Sequence, residues 1–158
     1  MMFARQVPQA LDAEHRASLD LLGRLEAAAL DGDSAALARV AAPLARQLEH
    51  EVGRHFDFEE HELFVRMAQA GDGALAELLA EEHATIREVA GELLAMVREA
   101  GTDDWPGETA TAFRRLSLEL VDRMVAHIQK ETMGLLPLLD DLLDEANDRE
   151  LAFAYAAG

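Results

Sequence analysis

The segment HFDFEEHELFV, residues 55–65, sets a glutamate four positions after a histidine and an apolar pair eight and nine positions after it. The same phrase returns 72 residues later as HIQKETMGLLP, residues 127–137. Four residues turn an α-helix by about 400°, so positions i and i+4 share a face. His55 can therefore aim at one point with Glu59, and His127 with Glu131. Val52, Phe56 and Leu63 straddle the first pair, and Met124, Ile128 and Leu135 straddle the second. Both pairs lie on or beside a core-facing stripe.

Helical periodicity extends over nearly the whole chain. Ala, Leu, Glu and Arg dominate, and β-branched residues are sparse. Leu48, Val52, Phe56, Leu63 and Met67 recur at three- and four-residue steps or their sums, as do Phe113, Leu116, Leu120, Met124 and Ile128. The pattern predicts helices over 8–30, 35–70, 74–100 and 108–145. Pro8 suits a first turn, and Asp31-Gly32-Asp33-Ser34 ends one helix and caps the next. Pro43 is expected to kink or divide the second helix, and Pro137 to bend the fourth. Gly71-Asp72-Gly73 is a break, and Gly101 to Gly107 forms the longest loop. Leu151 to Tyr155 reads as a short apolar tail docked on the bundle. The expectation is an all-α, up-down-up-down four-helix bundle, one domain over residues 1–158.

Composition narrows the function. Half of the 158 residues are apolar, which fits a globular chain, and there is no cysteine. A disulfide scaffold, a thiolate metal site and a cysteine nucleophile are thereby excluded. Lys and Arg number 14 against 31 Asp and Glu, a balance that repels nucleic acid and anionic membranes. No signal peptide and no membrane-spanning run is legible, so the chain is expected to be cytoplasmic. No nucleophile elbow, phosphate loop or Ser/His/Asp order points to a hydrolase or transferase, and no catalytic residue is assigned.

The repeat is wider than the opening phrase. Glu14-His15 recurs after 68 residues as Glu82-His83, in the first and third helices. Two helical hairpins of similar design thus each carry a lone histidine and one His-x-x-x-Glu. A single histidine on an apolar stripe is usually a hydrogen-bonded core residue. One in each of four helices, with Glu at +4 in alternate helices, is a joint pattern that chance rarely supplies. Two buried carboxylates would be costly unpaired and would repel each other. Metal cations remove both penalties, and imidazole with carboxylate suits iron, manganese or zinc.

In these motifs, Glu14-His15, His55-x-x-x-Glu59-Glu60, Glu82-His83 and His127-Ile128-x-x-Glu131, the chain resembles the hemerythrin family, in its HHE cation-binding branch. The resemblance runs from about Pro8 to Leu143. It implies a four-helix bundle holding two irons, bridged by two carboxylates and an oxo or hydroxo group, with zinc or manganese as substitutes. The implied ligands are His15, His55, Glu59, His83, His127 and Glu131.

Departures from the oxygen carriers are informative. Their additional histidine, one turn after the third-helix ligand, is Arg87 here. Their final Asp, five positions after its histidine, is Thr132 here, with Glu131 one residue earlier. The symmetric set leaves an open position on each metal. It favours redox turnover, sensing or small-molecule reaction over reversible oxygen carriage. The expected partner is a small ligand such as oxygen, nitric oxide, peroxide or an azide-like anion.

Other residues are assigned ordinary roles. His50 and His61 lie off the ligand face and read as surface residues, and Glu60 reads as solvated. Glu62 returns to that face at i+7, but reads first as a boundary residue. Nothing in the sequence places Tyr155 near the metals. Met67, Met96, Met124 and Met133 read as core or boundary residues. Arg87 points toward the metals by position, with its side chain expected to turn to water or a carboxylate. Two further readings stand beside the di-iron one: an iron-handling or iron-centre repair protein, and a bundle with a purely structural metal. The family's iron–sulfur repair members often carry an N-terminal domain with cysteines, and the absence of cysteine from these 158 residues argues against that reading.

Overall fold

A computed structural model describes residues 2–31, 34–100 and 107–158. Among these the chain is all-helical, with five joined helices. We label them α1 (Gln6–Asp31), α2 (residues 34–69), α3 (Gly73–Ala100), α4 (residues 107–142) and α5 (Glu145–Ala157). Helix α1 packs on α2, α4 and α5, and α3 packs on α2 and α4. Among the described residues no helix is long and apolar enough to cross a membrane.

The apolar core falls into two clusters. One includes Leu25, Leu44, Phe56, Ile86, Leu93, Phe113 and Leu120. The other includes Val7, Leu11, Leu63, Met67, Leu79 and Leu135. The histidines and glutamates of the repeat lie at the change from one cluster to the other. On α1, His15 falls between Leu11 and Leu21; on α3, His83 falls between Leu79 and Ile86. The order of the clusters reverses on α2 and α4, where the large cluster comes first in sequence.

Several sequence expectations change. Pro43 does not divide α2, because Ser34–Glu49 is one α-helical segment with Pro43 inside it. Its missing N–H interrupts the hydrogen-bond ladder, but buried Leu37, Val40, Ala41 and Leu44 hold the segment against the core. Helix α4 ends at Leu142, not Glu145, because Leu143 and Asp144 are extended. Asp144 caps helix α5 by accepting from the Asn147 N–H at 2.7 Å. The expected tail is therefore part of a 13-residue helix. Met133 is not a core or boundary residue: it is 80% exposed. The expected cap at 31–34 and the long loop at 101–107 fall largely outside the described residues.

The start of α1 is anchored from afar. Asp140 accepts from the Ala4 and Arg5 N–H groups at 2.9 and 2.8 Å, and Asp148 from those of Gln6 and Val7 at 2.8 and 2.9 Å. The three N–H groups that the helix start leaves unpaired (Arg5, Gln6 and Val7), with that of Ala4 before it, are thus met by two carboxylates, which also suit the positive end of the helix dipole.

Candidate metal centre

The local backbone departs from a regular α-helix at the repeated motifs. Residues Glu59–Leu63 and Glu131–Leu135 form π-helical turns, in which Phe64 N–H reaches Glu59 O and Leu136 N–H reaches Glu131 O. A third π-helical turn spans His50–His55, where Phe56 N–H reaches Glu51 O. Such turns insert a residue into the helix and re-aim side chains, and they concentrate at functional sites. Here each begins at or beside a glutamate whose side chain is fully buried.

All six residues expected as ligands are buried and converge. Glu59 and Glu131 stand between two histidine pairs and divide their oxygens between them. Glu131 Oε1 lies 2.9 Å from His15 Nε2, while its Oε2 lies 3.0 Å from His127 Nε2 and 3.5 Å from His83 Nε2. Glu59 Oε2 lies 3.3 Å from His55 Nε2, and its Oε1 lies 3.2 Å from His83 Nε2. Two overlapping groups result: His15, His55, Glu59 and Glu131, and Glu59, His83, His127 and Glu131. Within each, one ligand atom per residue lies within 4.8 Å of the others.

The opposite ring nitrogens are all engaged. His55 Nδ1 bonds to Glu14 at 2.7 Å, His83 Nδ1 to Glu60 at 2.8 Å and His127 Nδ1 to Glu82 at 2.8 Å. His15 Nδ1 bonds to Thr132 Oγ1 at 3.2 Å. An Nδ1–H donated to a carboxylate leaves the Nε2 lone pair facing inward, the arrangement metal-binding histidines use. The partners match the repeat. Glu14 and Glu82 stand 68 residues apart, and Glu60 and Thr132 stand 72 apart. The His83 ring also stacks on Phe56, with centroids 3.7 Å apart and planes 2° apart.

The inward atoms are poorly satisfied by the protein itself. His55 Nε2, His83 Nε2, His127 Nε2, both Glu59 oxygens and Glu131 Oε2 are buried with no well-formed hydrogen bond. An unsatisfied buried polar group costs about 1–3 kcal/mol, and more when charged. Cations placed in the two groups would satisfy these six atoms, so the residues present fit metal binding. The hemerythrin HHE cation-binding domain model matches residues 7–139.

The chain belongs to the hemerythrin HHE cation-binding family. No match to it was found among curated proteins. The buried His/Glu groups of this family member could hold metal ions. Without a cation, protons serve in its place. Burial alone would lower the basicity of His83, but Glu131 and Glu59 outweigh it and raise its pKa to about 9. Burial likewise opposes charge on His55 and His127, yet Glu59 and Glu51 hold the first well above the usual range, and Glu131 raises the second. Glu131 would be pushed up by burial, but His127, His15 and His83 keep it well below the ordinary carboxylate range.

The surroundings correct several sequence readings. Glu60 is only partly solvated: it accepts from His83 and from Arg87 Nη1 at 2.6 Å. Arg87 turns to carboxylates as expected, with Asp57 its second partner at 3.0 Å, and donates to Val52 O at 3.1 Å. Glu62 is exposed and pairs with Arg66, so it does not enter the cluster. His61 is exposed as expected. His50 stays out of the cluster but bonds to Glu14 at 3.0 Å.

Two residues near the site escape the sequence reading. Glu51 is buried one turn before His55, with its Oε2 3.3 Å from Ser18 Oγ and 3.4 Å from His55 Nδ1. Burial raises its pKa above the usual carboxylate value, though His55 and His15 oppose this. Its signal is in the sequence, as a glutamate at i−4 from a ligand histidine. Tyr155, which the sequence leaves unplaced, donates to Glu14 Oε2 at 2.6 Å. The repeated Glu-His pair is the available signal for Glu14 and Glu82.

Proposed function

We propose that this hemerythrin-like chain is a single-domain, non-haem di-iron protein that binds or reacts with a small ligand such as oxygen, nitric oxide or peroxide. The division of Glu59 and Glu131 oxygens between two histidine pairs carries this reading. On this reading Glu59 and Glu131 would each serve both irons, while His15 and His55 would hold one and His83 and His127 the other. Bound iron would supply redox electrons and coordination positions open to a ligand. The protein's part is to hold the rings through their Nδ1 atoms, keep Glu131 ionised and exclude bulk water. The reversed order of the two core clusters on alternate helices supports an up-down-up-down arrangement of α1 to α4. The recurrence of outer hydrogen bonds at offsets of 68 and 72 supports a repeat of two hairpins.

A groove of about 560 Å³, walled by Phe3, Leu19 and Met133 with Asp12 and Arg16 beside them, ends at buried His15 and would bring a ligand to the edge of the cluster. Anaerobic reconstitution with ferrous iron, then brief oxidation, tests the proposal. The expected result is two irons per chain, near-ultraviolet charge-transfer absorption and a spectral change on adding azide or nitric oxide. Iron that loads but leaves the spectrum unchanged on adding either ligand would instead support a purely structural metal.

A further inference from the structure

Helix α5 lies beyond residue 139, where the family match ends. It nevertheless reaches the candidate centre. Tyr155 is buried near the end of α5 and donates its hydroxyl to Glu14 Oε2 at 2.6 Å. The same oxygen takes the His55 Nδ1 bond at 2.7 Å. A three-member chain therefore runs from the C-terminal helix to a ring whose Nε2 faces Glu59. We infer that Tyr155 is a positioning residue of the metal centre, which fixes His55 through Glu14 and so links docking of α5 to metal occupancy at the His15/His55 position. This rests on the di-metal reading above.

The geometry favours a specific role over incidental packing. Asp148 on α5 meets Val7 on α1, and Tyr155 on α5 meets Glu14 on α1, with the same separation of 141 residues in both contacts. The two helices thus run side by side in one register, pinned at both ends of a seven-residue interval. The Tyr155 ring is itself held, with Phe58 at 4.5 Å between centroids and the Arg54 guanidinium 4.9 Å from its centre. Its hydroxyl therefore arrives at Glu14 from a fixed direction. Glu14 is partly exposed and accepts from His50 on its other oxygen. Without the phenol its Oε2 would keep one donor, and the carboxylate would be freer to turn toward water.

The other half of the centre is built differently. Glu82, which occupies the matching place beside His127, takes its second donor from Lys130 on α4. Among the described residues these two donors are the side-chain partners of Glu82 and neither lies on α5, so the link should be confined to one of the two metal positions. Linkage is reciprocal: if docked α5 strengthens metal binding, metal binding must strengthen docking of α5 by the same factor.

The test uses the full chain and ferrous iron as the probe, under anaerobic conditions. Tyr155→Phe removes only the hydroxyl. Loss of an outer hydrogen-bond partner typically costs 10–100-fold in metal affinity, and Tyr155 acts one bond further out, so a loss of about tenfold at one of the two irons is expected. The second iron should bind as in the parent. In the cobalt(II)-substituted protein, the exchangeable His55 Nδ1–H resonance should shift, a response that loss of packing alone would not give. Phe153→Ala, at an exposed position on the same helix, should change none of these. A further arm needs no variant: ferrous loading of the parent should slow amide hydrogen exchange across residues 145–157. Parent and Tyr155→Phe with both iron affinities equal within twofold, or exchange in α5 indifferent to iron, would overturn the inference while leaving the di-metal reading intact. A parent that binds no iron would instead overturn the di-metal reading itself.

Discussion

Removing the metal should leave a protein whose stability falls as pH rises, and His83 gives the size of the effect. Its ring is fully buried, and Glu131 and Glu59 raise its pKa from the ordinary 6.5 to about 9. A group whose folded pKa is raised contributes stability that is fully present below its unfolded value and is lost as pH rises through its folded value. Here the window runs from about 6.5 to about 9. At roughly 1.4 kcal/mol per pH unit the loss is about 3 kcal/mol. For a chain of this size that lowers the melting temperature by about 6–12 °C. His55 and His127, whose pKa values are also raised, act in the same direction. Metal binding has the opposite dependence, because a ligating histidine must be neutral and protons are released on binding. The assay is scanning calorimetry between pH 6 and 9.5 on chelator-treated protein, metal-loaded protein and a metal-free His83→Gln variant. The metal-free parent should lose stability more steeply than the variant, while the loaded parent holds its stability to higher pH. A metal-free parent that melts at the same temperature throughout, or tracks the variant, would refute the reasoning.

The same contacts set other outcomes. Glu59→Ala should abolish binding of both irons in a ferrous titration, whereas His15→Ala should weaken mainly one, since a carboxylate shared between two histidine pairs serves both. Arg87→Ala frees Glu60, the outer partner of His83, and should weaken one iron by about tenfold, measured by competition with a chelator. Phe56→Ala removes a fully buried ring stacked on His83 and should cost about 3–5 kcal/mol in denaturant unfolding. Asp148→Ala strips two N–H partners from the start of α1 and should cost about 1–2 kcal/mol, with faster amide exchange at Gln6 and Val7.

The sequence makes legible whatever repeats or recurs with a period. The all-helical class comes from apolar spacing. The six convergent residues come from two His-x-x-x-Glu phrases and two Glu-His pairs, because i and i+4 must share a helical face. The π-helical turns are not legible in it, since the one-residue phase shift they add is absorbed in the mixture of three- and four-residue apolar steps that any helix shows. Glu60 is misread for a related reason. A solvated position one residue beyond a ligand on its own helix is, across the bundle, within reach of His83 and Arg87. Tyr155 has no local signal at all. Its placement depends on Asp144 starting a new helix and on Asp148 and Leu151 fixing that helix beside α1, contacts spanning nearly the length of the chain.

The most direct measurement is an anomalous difference map, at the iron edge, from crystals of the iron-reconstituted protein. Two peaks are expected between Glu59 and Glu131, one beside His15 and His55 and the other beside His83 and His127. A single peak, no peak at these residues, or density bound instead at Glu14 and Glu51 would contradict the account.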